Sequence, residues 1–154
     1  MSELTFRRAE KGDLAAIIAL LADDEIGENR EAPAGTVPPD YERAFAEMSA
    51  SGSNCILLAE HDGEIVGALQ LVIIPSLSRQ GTKRAMIEAV RVKTDLRGQM
   101  VGTKLMRHAI EVARREGSRL IQLTSDKRRK RAHLFYRRLG FEQSHEGFKL
   151  ELRG

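Results

Sequence analysis

The sequence has no tryptophan, and tyrosine and phenylalanine bring its aromatic content to only 5%. That scarcity argues against single-stranded nucleic-acid binding, which needs aromatic stacking platforms beside a basic groove. The single cysteine, Cys55, excludes an intrachain disulfide. Its setting, Cys55-Ile56-Leu57-Leu58-Ala59, reads as a small residue in an apolar strand. No apolar run approaches the roughly 20 residues of a membrane-spanning helix, so no membrane partner is expected. The segment Met1-Ser2-Glu3-Leu4-Thr5 has neither the basic nor the apolar region of a secretory signal. A cytoplasmic location is the expectation. The four histidines are scattered without ligand spacing, so no metal is expected. Two common phosphate-binding patterns are also missing. A P-loop needs G-x-x-x-x-G-K-[ST] and a dinucleotide fold needs G-x-G-x-x-G, and neither string occurs.

A chain of 154 residues with 42% hydrophobic and 31% charged content fits one globular domain, 1–154, able to bury a substantial core. The net charge of +3 is concentrated in Lys127-Arg128-Arg129-Lys130-Arg131. This run fits a solvated surface, or local attraction of an anionic cofactor.

Hydrophobic periodicity divides the chain into alternating elements. Residues 4–9 alternate as a strand, and Asp13 is placed to cap a helix carrying Leu14, Ile17, Ile18 and Leu21 on one face. Residues 23–39, acidic and then rich in Gly and Pro, form a long loop, a usual location for function. A helix over about 40–51 follows. Strands over 54–61 and 64–74 meet at Asp62-Gly63, a hairpin signal, and Pro75 ends the second. After a polar loop, 84–93 is a fourth strand. A helix runs to about Glu116, where Gly117 stops it. Residues 120–124 make a fifth strand, 130–139 a helix, and Phe141 and 148–152 two last strands. The order implies one mixed sheet of about seven strands with helices on both faces.

The most informative stretch is Arg97-Gly98-Gln99-Met100-Val101-Gly102-Thr103, between the fourth strand and the long amphipathic helix. Two glycines and no acid in such a turn let successive backbone N–H groups point into one concavity at the positive end of a helix dipole. That arrangement suits a phosphate or pyrophosphate. Read alone, the turn equally fits a plain start to a surface helix.

A second string decides between these readings. Ala132-His133-Leu134-Phe135-Tyr136-Arg137-Arg138-Leu139-Gly140-Phe141 matches A-x-x-F-Y-x-x-x-G-F throughout, and Arg97 to Gly102 follows [RQ]-x-x-G-x-[GA] with Met100 in place of the first Gly. With the element order, the two motifs resemble the GNAT superfamily of acetyl-CoA-dependent N-acetyltransferases over nearly the whole chain. The C-terminal half is further similar to aminoalkylphosphonate N-acetyltransferases, through Arg97-Gly98, Val101 to Leu105, the Ala132–Gly140 string and Glu142-Gln143-Ser144-His145. Residues 20–85 show no such match. At Met100, a negative φ would let the turn form without glycine.

The resemblance implies acetyl transfer from acetyl-CoA to an amine. It makes Tyr136 the general acid beside the departing sulfur, a role suited to a hydroxyl that is neutral at pH 7. It makes Glu88, on the fourth strand, a candidate base, which burial would strengthen; a structural pair with Arg91 or a contact to a basic substrate is the other reading. His133 and His145 are competing bases. Backbone groups of Val90, Arg91 and Val92 are expected on the pantetheine arm. Arg97, Gly98, Gln99, Met100, Val101, Gly102 and Thr103 are expected around the pyrophosphate, and Arg129 at the 3′-phosphate. The acceptor is expected to be a small primary amine. A protein N-terminus or lysine, or a non-catalytic acyl-CoA-binding regulator, are the alternatives, and a homodimer is left open. Asp23-Asp24-Glu25 and Glu28 fit a cationic acceptor or a solvated loop, whereas Arg79, Lys83 and Arg84 fit an anionic group on it.

Overall fold

A computed structural model describes residues 3–23, 30–33 and 35–152. The chain divides into two compact units, Met1–Gln122 and Leu123–Gly154.

The first unit is built on β1 (Thr5–Arg8), β2 (Asn54–His61), β3 (Glu64–Ile74) and β4 (Arg84–Val92), joined in sequence order, with β5 (Leu120–Leu123) next to β4 at the unit's end. The pairings β1–β2, β2–β3 and β3–β4 are all antiparallel. Asp62 and Gly63 both take left-handed φ, +51° and +78°. That is the backbone of a two-residue hairpin turn matched to strand twist, which is why the limits of β2 and β3 fall where the sequence places them.

Helices α1 (Leu14–Ala22) and α4 (Val101–Arg115) cover opposite faces of this sheet. Ile17 and Leu20 of α1 pack with Leu58 and Ala68. On the other face, a Cβ at Gly67 would lie 3.4 Å from both Val101 and Leu105 of α4. Adjacent strand residues point to opposite faces, so Gly67 and Ala68 separate the two helices. Val101, Leu105, Met106, Ala109 and Ala113 make the helical stripe that α4 buries, each large side chain removing apolar surface at about 25 cal/mol per Å². Gly117 (φ +89°) ends the helix. The Ser118 N–H reaches the Ala113 carbonyl and the Gly117 N–H the Arg114 carbonyl, a Schellman closure. Helix α2 (Pro39–Ser51) starts with Pro at its first position and ends at Gly52 (φ +73°). Between β3 and β4, Ser78–Gly81 (α3) closes one turn, but Arg79 and Gln80 are left-handed, at φ +53° and +60°.

Two expectations are corrected here. Asp13 stands at the start of α1 without capping it. Its carboxylate instead accepts the Glu10 N–H at 2.7 Å and both terminal nitrogens of Arg7 at 2.8 Å, while Arg7 Nε reaches Glu60 at 2.7 Å. The guanidinium is the stronger attraction for a carboxylate, and it ties β1, β2 and the entry to α1 together. The second correction is the strand count: the sheet has five strands, not about seven. Residues 141–152 contain no strand. Alternation makes a strand only where a neighbouring strand takes its backbone hydrogen bonds, and none does so there among the described residues.

The Arg7 hydrogen bonds hold the Asp13 carboxyl below its ordinary pKa, against the opposing effect of partial burial. A lowered folded-state pKa stabilises the fold above the unfolded value of about 3.9, and that stability is lost as pH falls through the folded value. Asp13→Asn is therefore expected to lower the melting temperature at pH 6, and the gap from the parent should shrink below about pH 4. Differential scanning calorimetry across that range checks this.

In the second unit, α5 (Lys130–Arg138) follows Asp126–Arg129 and ends at Gly140 (φ +101°). No described helix is long and apolar enough to cross a membrane.

Candidate active site

The centre of the first unit is an irregularity in β4. Ala68 pairs with Arg91 and Gln70 with Glu88. Leu69 alone therefore faces two residues, Ala89 and Val90. This is a β-bulge, which leaves one residue outside the ladder, bends the strand and re-aims its side chains. Ala89 carries the bend at φ +51°. An alanine there costs of order 1–2 kcal/mol relative to an unstrained backbone. The sequence reads as a smooth strand over 84–93, and nothing in a lone alanine announces the bulge.

Glu88 borders this bulge and is exposed, so the burial expected to strengthen it as a base is absent. Val90 and Arg91 follow within the same strand. The Val90 carbonyl accepts a hydrogen bond from Arg91 Nη1 at 2.9 Å, so Arg91 shapes the backbone that was expected to meet the pantetheine arm. Val92 ends β4.

Beyond β4 the chain makes a short 3₁₀ turn, Thr94–Leu96, and enters the glycine turn. Gly98 is left-handed at φ +85°. The Gln99 N–H is taken by the Leu96 carbonyl at 3.3 Å. Met100 is the residue before α4, and its φ is +69°, ψ +6°. The negative φ that would let the turn form without glycine is not adopted: the turn keeps the left-handed geometry that suits glycine and places a methionine, half exposed, within it. The helix has no side-chain cap, and its first backbone bond runs from Lys104 N–H to Met100 C=O at 3.0 Å. The amides of Val101, Gly102 and Thr103 therefore lack intrahelical acceptors. Together with the helix dipole they present donors to an anion. This end of α4 sits against β3, where a Cβ at Gly67 would stand in van der Waals contact with the Arg91 carbonyl, at 3.4 Å.

Arg97 and Thr94 engage the end of α1. Arg97 Nη2 donates to the Asp23 carbonyl at 3.0 Å, and the Thr94 N–H and hydroxyl both reach Asp23 Oδ2, at 3.1 and 2.5 Å. Asp23 thus clasps the entrance of the glycine turn from 71 residues away, a link with no local sequence signal. It also removes Asp23 from the acidic group expected to attract a cationic acceptor; Asp24, Glu25 and Glu28 lie outside the described residues. Past the loop, the Tyr41 hydroxyl accepts the Ala32 N–H at 2.9 Å and donates to Glu31 at 3.0 Å. Of the three basic residues near β4, Lys83 donates to the Glu116 carbonyl at 2.9 Å and Arg84 to Gln122 at 3.4 Å. Arg79 lies in the left-handed turn.

In the second unit, Tyr136 is half-buried on α5, its ring 5.2 Å from that of Phe135 and 6.0 Å from that of Phe141. Arg129 precedes α5, and its N–H is held by the Asp126 carbonyl at 2.9 Å. The Arg128 guanidinium and N–H hold the Asp126 carboxyl well below the usual carboxylate range. His133 Nε2 lies 3.0 Å from the Asp126 carbonyl. A carbonyl only accepts, so this nitrogen carries the proton and is not a base. His145 is exposed, its Nδ1 2.7 Å from Ser144 Oγ. Glu88, the β4 backbone and the glycine turn thus belong to one unit, and Arg129 and Tyr136 to the other. Among the described residues no group of His, Cys, Asp or Glu is arranged to hold a metal.

Glycine at position 100 removes the left-handed strain without touching the donors. Met100→Gly is expected to stabilise the protein by about 1 kcal/mol, or raise its melting temperature by about 2–4 °C, and to leave acetyl-CoA affinity equal or improved. Thermal melts with and without acetyl-CoA measure both.

Residues 14–141 match the sequence profile of the Acetyltransferase (GNAT) family. The chain is 37% identical over 91 residues to aminoalkylphosphonate N-acetyltransferase of Salmonella typhimurium, a match covering 59% of this chain and 58% of that protein. It is 42% identical over 59 residues to an uncharacterised N-acetyltransferase of Methanocaldococcus jannaschii, covering 38% of this chain and 26% of that one. The match thus spans less than two thirds of either curated relative. Among solved structures, a transcriptional regulator from Bacillus halodurans C-125 superposes with a TM-score of 0.93 at 44% identity, covering 97% of this chain and 100% of that one.

Proposed function

The chain belongs to the GNAT acetyltransferase family, and from that premise we propose that it transfers the acetyl group of acetyl-CoA to a primary amine of a small molecule by direct attack. The observation that carries this is the bulge at Ala89 and Val90 followed by the uncapped start of α4. One strand thereby offers a bend that re-aims its backbone and then a backbone anion site, a combination suited to an extended ligand that ends in a pyrophosphate.

The residues present fit acetyl-CoA. The amides of Val101–Thr103 and the turn Gly98–Met100 receive the pyrophosphate, Val90 to Val92 the pantetheine amides, and Arg129 the 3′-phosphate. Acetyl-CoA supplies an activated acetyl thioester. Glu88, exposed beside the bulge, takes a proton from the incoming amine, directly or through water, so that nitrogen attacks with a free lone pair. The Tyr136 hydroxyl holds the proton that the leaving sulfur receives. The same proposal takes 1–154 as one catalytic domain, because the family match over 14–141 runs through both units, and carries forward the cytoplasmic location expected from the sequence.

The name of the Salmonella relative places an aminoalkylphosphonate among the acceptors to test. The name of the Bacillus relative favours a second reading, an acyl-CoA-binding regulator. One experiment separates them: free thiol release from acetyl-CoA against a panel of aminoalkylphosphonates, polyamines, amino acids, aminoglycosides and a peptide amine. Amine-dependent release with a small molecule supports the proposal. Release with the peptide alone transfers it to protein acetylation, and stabilisation by acetyl-CoA without release supports the regulator.

A further inference from the structure

Strand β3 is apolar on both faces, with one exception. From Ile65 to Ile74 its only polar side chain is Gln70. A strand covered on both faces gains nothing from a primary amide there, because two N–H groups and a carbonyl oxygen then need partners. One N–H is accounted for: Gln70 Nε2 donates to Asn54 Oδ1 of β2 at 2.9 Å. No other hydrogen bond to this side chain forms among the described residues, which leaves its Oε1 without a donor.

The position of Gln70 gives that oxygen a use. Gln70 pairs with Glu88 across β3 and β4. Directly opposed residues of antiparallel strands share a face, with Cβ atoms about 4.5–5.5 Å apart. The face is the one that α1 covers: Gln70 pairs on its other side with Ile56, and Ile56 packs against the cluster of Ile17, Leu20, Leu58 and Ala68. The next pair along this face in the other direction, Val72 and Met86, is apolar. The amide and the carboxylate are therefore a polar pair set between apolar neighbours, and the bulge at Ala89 follows Glu88 at once. An amide oxygen and a carboxylate both accept, so neither satisfies the other. A cation with at least two N–H groups satisfies both.

We propose that Gln70 binds the acceptor: its Oε1 holds the one N–H of the amine that survives in the product, beside the Glu88 carboxylate that receives a proton the amine loses. This deepens the proposed function and rests on its placement of the amine at Glu88. In the reaction the C–N bond forms at the acetyl carbon, the C–S bond breaks, and sulfur leaves with the electron pair. A primary ammonium brings three protons on nitrogen. One passes to Glu88, one replaces the proton taken by the sulfur, and one stays in the amide. The N–H that stays is the one Gln70 keeps throughout. A secondary amine gives an amide with no N–H and must surrender this bond, so the pair selects primary amines. Asn54 is a positioning residue: by taking the Gln70 N–H it fixes the amide so that oxygen, not nitrogen, is left for the ligand.

The test is an NMR titration of the full chain, with CoA bound, by ethylammonium, followed at the side-chain amide of Gln70. A saturable shift is expected. Tetramethylammonium, which has the charge but no N–H, should give none. Gln70→Met and Glu88→Gln, followed at the Ala89 backbone amide, should each weaken ethylammonium binding about tenfold. Asn54→Leu should weaken it likewise, and Asn54→Asp, which still accepts the Gln70 N–H, should restore it. The Asn54 pair keeps the proposal testable if Gln70→Met does not fold. A Gln70 amide that ignores ethylammonium overturns the proposal, as does one that answers both cations equally. The kcat/KM profile of Glu88→Gln reads the base separately. An acidic limb lost in that variant, with Gln70 silent in the parent, removes the Gln70 contact and leaves the base. A surviving limb with Gln70 silent removes the placement of the amine at Glu88, and a surviving limb with Gln70 responding supports the contact and removes only the base.

Discussion

Replacing Tyr136 by Phe is expected to lower turnover by about 10²–10⁴-fold, the range for a positioned acid or base, with little change in acetyl-CoA affinity. The substitution keeps the ring against Phe135 and Phe141 and deletes only the hydroxyl. A loss confined to kcat means that the proton is needed in the transition state and not for binding. A structural role for the ring would leave the Phe variant near parental activity. Acceptors whose acetylation is limited by departure of the thiolate should show the largest drop. Single-turnover thiol release, alongside calorimetric titration of acetyl-CoA, reads the two quantities separately. Unchanged turnover in Tyr136→Phe defeats the acid role.

The second large effect is at Glu88. A carboxylate base works only when ionised, so the rate falls as pH drops through its pKa. Glutamine cannot titrate. Glu88→Gln is therefore expected to remove the acidic limb of the kcat/KM profile and to lower its plateau by about 10²-fold. Because Glu88 is exposed, the change should leave the melting temperature close to the parent's. An acidic limb that survives intact would move the base role to His145 or bulk water. His133 is a weaker substitute, because its Nε2 is committed to the Asp126 carbonyl.

These residues differ in how openly the sequence announced them. The limits of β2 and β3 were legible because Asp62-Gly63 permits essentially one turn, and the end of α4 because Gly117 completes a Schellman closure. The glycine turn and the α5 string were legible as strings, since backbone donors and a ring with a hydroxyl require particular residue types at fixed spacing. Other features were hidden because they depend on partners remote in sequence. Asp13 looked like a helix cap, yet the Arg7 guanidinium outcompetes the helix amides for its carboxylate. The segment 148–152 looked like a strand from its alternation, but a strand is a property of two chains of backbone. The sign of φ at Met100 was not legible, because a β-carbon only disfavours the left-handed region, and the fold imposes that conformation here at a cost of about 1–2 kcal/mol. The bulge at Ala89 arises from a one-residue mismatch between β3 and β4, which no single-strand pattern encodes.

The clasp between Asp23 and the Thr94–Arg97 segment has an engineering consequence. The stretch leaving α1 starts from a point fixed on the entrance to the glycine turn, and Tyr41 secures its far side through Glu31 and Ala32. Sequence between these two moorings can be exchanged while the backbone of the glycine turn keeps its place. A graft that retains Asp23, Thr94, Arg97 and Tyr41 carries its own hinges, and one that discards Asp23 unfastens the turn together with the loop.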